Sequence, residues 1–389
     1  MPVPRFCPNP RCPHHRHPAA GWLVRYGFYH TRAHGSIQRY RCHTCLHTAS
    51  DQTASLHYYA KRRLPLKALW LSLLAGSSLR EIAGRYHCSP PCLQNALLRL
   101  GRQAMAAQSH LLASLSARQE LVYDGLRSYL TSQDYPCDIT TVVSTQGEVV
   151  LAMTHSISRR GGRMKPAQRR RLEAKLRVWR PERGGFSRDL SLLHRELWAY
   201  LRPKGLHPAV IHTDEHPLYG RSLRADAAGS HFLRCGLLEH RCTPSTAPRT
   251  TANPLFPVNY VDRLLRHRLK EHTRESIAFG REATLQMHRG WIFAWDHNAR
   301  RPYRVRHPER GSHAEQVEVD RRWLKELERE FFSRRMRVSA EGLPESMRRV
   351  WMAELAGPPL RWRTGQRGSS IRVPAYARRD LTAPYQQGA

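Results

Sequence analysis

No stretch of this 389-residue chain is long and apolar enough to cross a bilayer. The longest mainly apolar runs, residues 69–75 and 149–153, fall far short of the roughly 20 residues that a helical span needs. No apolar run follows the opening Met1-Pro2-Val3-Pro4, so no secretory signal is expected and the chain is read as a cytoplasmic protein. Negative charge is scarce: 31 Asp and Glu stand against 64 Lys and Arg, a net +33. That excess is far beyond what solubility asks of a chain this size, and it implies a polyanionic partner. No internal repeat of fixed period is visible. The odd count of nine cysteines fits poorly with complete disulfide pairing, and in a reducing compartment they read as metal ligands or spare thiols. The 40% apolar content still suffices for globular packing, so the charge decorates a folded protein of about two to three domains.

Four of the cysteines fall within the first fifty residues as two close pairs, Cys7 with Cys12 and Cys42 with Cys45. Each pair can present two thiolates from one turn, and two such turns together make the tetrahedral sulfur cage that structural zinc prefers. The residues between them alternate as short strands over 21–30 and 37–41, so a zinc ribbon is expected over residues 1–55. The first pair is spaced C-x4-C, wider than the usual C-x2-C, which leaves His14, His15, His17, His43 and His47 as alternative ligands.

A helix-turn-helix is expected over residues 60–105. Residues 64–75 have helical periodicity, and Ser78 with Glu81 makes a capping box ahead of a second helix. Ser89 then caps a third, which opens on Pro90-Pro91 and carries Gln94 and Asn95 where base edges would be read. Residues 101–120 read as a connecting helix. Strand patterns follow at 121–126, 139–143 and 148–153, a β-meander. An excursion dense in Arg and Lys occupies residues 156–186; its inner part, 168–178, reads equally as a helix or as a solvated charged loop, and either could contact phosphate. Helical periodicity returns at 190–201, a strand at 209–214, a Thr- and Pro-rich loop at 241–257, and a helix from about 259 to 272. Residues 301–389 read as a basic helix and tail, the long amphipathic helix covering 314–336.

In so basic a chain an acid at the end of an apolar strand needs a reason, because a buried carboxylate without a partner is costly. Asp124 lies in Leu121-Val-Tyr-Asp-Gly125, and Asp214 ends Val210-Ile-His-Thr-Asp214. If both strands belong to one sheet, the two carboxylates can converge on Mg²⁺ or Mn²⁺, hard cations that accept carboxylate oxygens and assist phosphodiester cleavage. The third ligand is expected from a neighbouring helix. Asp262 is the leading choice because it borders the apolar side formed by Val258, Leu265 and Leu269, while Glu271 and Glu275 compete with it.

The order of these motifs resembles bacterial insertion-sequence transposases with an RNase H-like DDE or DDD catalytic domain. The residues that carry the likeness are Cys7 and Cys12 with Arg39-Tyr-Arg-Cys-His-Thr-Cys45, then His212-Thr-Asp-Glu-His-Pro-Leu-Tyr219, and Asn259-Tyr-Val-Asp-Arg-Leu-Leu-Arg266 followed by Arg274-Glu-Ser-Ile-Ala-Phe279. The resemblance implies an α/β fold: an RNase H-like mixed sheet flanked by helices over residues 118–300, preceded by the zinc ribbon and helix-turn-helix. It also implies catalytic Asp124, Asp214 and Asp262, the last standing where many relatives have glutamate. Its further implications are double-stranded DNA as partner, both element terminal repeats and target, a homo-oligomer, and a nucleoid-associated location. The activity implied is cleavage at element ends and transfer of the freed 3′-hydroxyl into target DNA. The alternative is a DNA-binding regulator derived from such an enzyme, which keeps zinc and has lost the metal chemistry. A third class, an RNA-binding or RNA-processing factor, shares the charge and the ribbon.

Overall fold

The computed structural model of the chain describes residues 3–115, 120–202, 209–273 and 278–359. Just after Cys12 a one-turn helix, α1 (Pro13–Arg16), reverses the chain. The alternating residues beyond it form β1 (Leu23–Thr31), β2 (Gly35–Cys42) and β3 (Thr48–Ser50), a three-stranded antiparallel sheet in that order. Gly27, with φ +74°, sits in the bulge of β1. Ser50 caps α2 (Asp51–Ala54), accepting from the Thr53 amide at 3.2 Å.

Three helices follow: α3 (Leu66–Leu74), α4 (Leu79–Arg85) and α5 (Pro90–Ser114). The Ser78–Glu81 capping box forms as the sequence predicts, with both reciprocal bonds made. Leu69, Trp70, Ile82 and Leu93 are fully buried where the three meet. One expectation changes here. The third helix and the connecting helix are a single 25-residue rod, unbroken at Gly101. That glycine is a packing residue, because a Cβ there would lie 2.3 Å from the His288 ring of a later helix.

The second sheet contains β4 (Leu121–Leu130), β5 (Ser132–Ser144), β6 (Val150–Ile157), β7 (Ala209–Asp214) and β8 (Leu238–Thr243). Its order is β6-β5-β4-β7-β8: an antiparallel meander, as read from the sequence, with β7 and β8 added parallel to β4. Side chains alternate along β4 and so show which helices cover each face. Tyr123 meets His194 of α7 (Gly185–Leu201) and Tyr219 of α8 (Pro217–Ala225), the chain having first formed α6 (Pro166–Val178). α9 (Ala227–Arg234) follows α8 and leads into β8. On the opposite face Ser128 meets His272, beyond α10 (Phe256–Arg268), and Gln286 of α11 (Ala283–Trp295).

Several elements differ from the sequence reading. Arg241, Cys242 and Thr243 belong to β8, not to a loop. α10 stops at Arg268 and is followed by a separate turn at Lys270–His272. The helix expected over 314–336 is a short turn at Ala314–Val317 and then α12 (Arg321–Ser333), because Glu318 turns left-handed and Asp320 caps the Trp323 amide at 2.7 Å. α13 (Glu345–Trp351) closes the described chain. Residues 360–389, most of the expected tail, lie outside the described residues.

α11 is buried along its whole length and packs against α5, and Trp295 stacks on Phe331 of α12 with ring centres 5.7 Å apart. Asp296, at the start of the π-turn after α11, accepts from Trp70 of α3 at 3.1 Å and from Arg268 at the end of α10 at 2.6 Å. A single buried carboxylate thus ties the three-helix region to the helix that carries Asp262. Among the described residues no helix is long and apolar enough to cross a membrane.

Candidate active site and metal centre

β7 runs parallel to β4 with His212 opposite Val122. Two residues further along each strand come Asp214 and Asp124, so the two acids stand side by side on the same face. β7 ends at Asp214, whose Oδ1 accepts the His216 amide at 2.8 Å in the turn into α8. β4 does not end: it continues to Leu130 against β5, with Asp124 opposite Thr141. Asp124 is therefore not a strand terminus. It marks the point where β4 outruns its parallel neighbour and one flank of the strand opens.

Asp124 Oδ1 accepts the Gly125 amide at 2.7 Å and the Tyr219 hydroxyl at 3.2 Å. Burial, reinforced by the charge of Asp214, pushes its carboxyl from 3.8 up to about 6. Tyr219 is itself held above its ordinary range, first by burial and then by the Asp124 charge, so it stays a neutral donor. Tyr123 packs edge-on against its ring at 5.1 Å and Phe186 lies 6.0 Å away, which sets the direction of the hydroxyl.

Asp262 lies in the middle of α10, which packs on β4 and β5. It is buried, and its carboxyl is raised well above the usual range, by desolvation first and then by the field of Asp124, with Arg266 one turn on acting in the opposite sense. Its Oδ1 has no hydrogen-bond partner among the described residues. A buried carboxylate oxygen left without a donor is expensive. A divalent cation would satisfy it. Asp124 thus feels the charge of Asp214, and Asp262 feels the charge of Asp124.

Of the competing glutamates, Glu271 is committed elsewhere. It is paired through both oxygens with Arg289 of α11, one contact at 2.7 Å. Glu275 lies outside the described residues. The sequence reading assigned no role to Tyr219, although it stands in the quoted His212–Tyr219 segment, five residues after Asp214. A tyrosine one turn into the helix that follows an acid-terminated strand is the signal that was present.

The second constellation is the cysteine cluster. The sulfurs of Cys7, Cys12, Cys42 and Cys45 all lie within 4.8 Å of one another. Cys7 Sγ is 3.5 Å from Cys45 Sγ, and Cys12 Sγ is 3.7 Å from Cys42 Sγ. These separations are far too long for disulfides. They are close to the edge of a tetrahedron with Zn–S bonds of about 2.3 Å, roughly 3.8 Å. Burial pushes Cys7 up and Cys12 up to about 11, while amide and thiol donors bring Cys45 down. The four cysteines are consistent with zinc binding and none of the five nearby histidines is needed. Among the described residues this is the only group of three or more Cys, His, Asp or Glu drawn together so tightly; the three aspartates are more widely spaced.

Beside α5 lies a cleft of about 350 Å³ lined by Lys61, Arg62, Cys92, Asn95 and Arg99. Asn95 is exposed and Gln94 half-buried. Arg62 donates to the His87 carbonyl at 2.7 Å, which fixes it across the turn between α4 and α5. Neither any protein-family model nor any curated protein sequence matches this chain.

Proposed function

We propose that this chain is a DNA transposase that cuts at element ends and joins the freed 3′-hydroxyl to target DNA with the help of Mg²⁺ or Mn²⁺. What supports the reading is that Asp124 and Asp214 stand on adjacent parallel strands, that buried Asp262 on the packed helix α10 feels the charge of Asp124, and that one oxygen of Asp262 is unpartnered among the described residues, in a chain of net charge +33. The sheet supports an RNase H-like domain, since an antiparallel meander of three strands is followed by two parallel ones. The cysteine cluster on its three-stranded sheet supports a zinc ribbon, and α4 with α5 supports a helix-turn-helix.

When bound, a divalent cation supplies charge neutralisation at the scissile phosphate and activation of the attacking oxygen. The side chains do the rest. Asp124, Asp214 and Asp262 would hold the cation, and Tyr219, donating to Oδ1, orients Asp124. Asp124 must be deprotonated to take a cation, so binding of the cation to the metal-free chain is expected to strengthen as pH rises through about 6. Gln94 and Asn95 read base edges, and arginines neutralise phosphates.

The test uses duplex DNA carrying the sequence that flanks this reading frame. The purified chain with Mg²⁺ is expected to nick it and to join the cut end to a target plasmid, and both Asp124→Asn and Asp214→Asn are expected to abolish the reaction. Activity that persists in both variants would remove these acids from the chemistry. A wild-type protein that binds the duplex and never cuts it would leave only the regulator.

A further inference from the structure

We infer that residues 158–184 form a phosphate-gripping arm of the acidic site, which holds the duplex DNA flanking the strand that reacts; the inference rests on the reading above. The arm interrupts the fold between β6 and α7. Eleven Lys and Arg stand in it against two Glu.

Topology puts the arm on the correct edge. β4 and β6 are both antiparallel to β5, so β6 points the same way as β4, β7 and β8. The chain that leaves Ile157 therefore emerges from the edge of the sheet at which β7 stops with Asp214. Parallel strands present ligand sites at this edge, because the loops that follow them gather there. Thr141 is opposite both Asp124 and Met153, so β6 carries on four residues past the level of the acid before the arm begins.

One end of the arm is tied to the strand that carries Asp124, and the other packs beside Tyr219. At its start, Ser158 accepts from Arg127, three residues beyond Asp124 on β4, at 3.0 Å. Just after its end, Phe186 in the first turn of α7 packs edge-on against His216 at 5.6 Å and near Tyr219, whose hydroxyl holds Asp124.

The arm is not a solvated loop. Asp134, buried on β5, takes Lys175 at 2.5 Å, Arg171 at 3.1 Å and Arg160 at 3.3 Å. Tyr135 donates to the Lys175 and Trp179 carbonyls, and Leu172 of α6 is fully buried. One carboxylate thus fixes three of the cations and α6 with them. The remaining eight have no carboxylate within ion-pair distance among the described residues, and Arg163, Arg169, Arg170 and Arg177 are exposed among them. Arg170 and Arg177, seven residues apart, share the side of α6 that faces away from Leu172. Such a set of like charges repels itself until a polyanion neutralises it, and at a fixed place beside a nuclease-like site the matching polyanion is a phosphate backbone.

The experiment compares the full-length protein with Arg169→Gln/Arg170→Gln/Arg177→Gln. Fluorescence anisotropy on the flanking duplex and on a scrambled duplex of equal length is followed over a series of salt concentrations. The plot of log affinity against log salt is expected to flatten by about 0.9 per lost contact, so by roughly 2 to 3 in the triple variant, equally on both duplexes. A photo-crosslinking residue at the exposed Val178 is expected to label the duplex beside the cleavage position. Unchanged affinity and slope in the triple variant, with the wild type binding normally, would overturn the arm and leave the transposase reading standing. A wild type with no salt-dependent DNA binding would sink that reading itself. Loss of affinity confined to structured RNA would overturn the assignment of duplex DNA.

Discussion

Asp124→Asn is expected to make the protein more stable while it disarms the proposed site. In the folded chain, burial and the Asp214 charge hold the Asp124 carboxyl at about 6 in place of 3.8. A carboxyl raised in the folded state is a liability above that value: the penalty is full above about pH 6 and vanishes as pH falls toward the unfolded value. At 1.36 kcal/mol per tenfold step in acidity, the shift corresponds to about 3 kcal/mol at neutral pH. Asparagine keeps an oxygen for the Gly125 amide and the Tyr219 hydroxyl and removes the charge. For a chain of this size that gain translates to a rise in Tm of about 4–6 °C near neutral pH, shrinking as the pH is lowered. Mg²⁺ is expected to offset the same repulsion in the wild type. A cation present at about 100 times its dissociation constant adds roughly 2.7 kcal/mol, and the variant should show little of this. Thermal melts followed by circular dichroism, with and without Mg²⁺ and across pH, measure both effects. A variant that melts lower than wild type near neutral pH, or one that Mg²⁺ stabilises equally, refutes the reasoning.

Three further outcomes follow from the geometry. The purified chain should contain one zinc per molecule by elemental analysis, and Cys42→Ser should lose it together with the β1–β3 sheet, while the melt of the larger sheet persists; zinc retained in full by the variant would contradict the cage. Asp134→Asn should cost about 3 kcal/mol in urea denaturation and expose the arm to trypsin. Because Lys175 and Arg171 outweigh burial and hold the Asp134 carboxyl below its ordinary value, this stabilisation is present above the unfolded value and fades as pH falls through the folded one. Gly101→Ala should cost about 1–3 kcal/mol by overpacking α5 against His288, and a neutral outcome would show that the two helices yield.

Much of this organisation was legible in the sequence, and the parts that were not have physical reasons. Local chemistry announced itself: the cysteine pairs, the Ser78–Glu81 capping box and the alternating strands of the meander all form as read. Helix periodicity puts Asp262 ahead of Glu271, but the capture of Glu271 by Arg289, eighteen residues away, is visible only in the tertiary structure. α11 gave no readable stripe because a helix buried on every side shows no polar face, and Gln286, His288 and Arg289 break its apolar run. The end of the 314–336 helix prediction came from a single competing cap: Asp320 can start a helix as readily as it can sit within one. β8 was hidden by its polar residues, Glu239, His240 and Arg241, which an edge strand carries without penalty.

Binding of Mn²⁺, followed by its paramagnetic resonance in the presence of duplex DNA, tests most directly whether Asp124, Asp214 and Asp262 form a cation site. The expectation is saturable binding to the wild type that weakens at least tenfold in each of Asp124→Asn, Asp214→Asn and Asp262→Asn, with Glu271→Gln showing no such loss of affinity in molecules that remain folded. Mn²⁺ that fails to bind the wild type, or that binds all four variants alike, contradicts it.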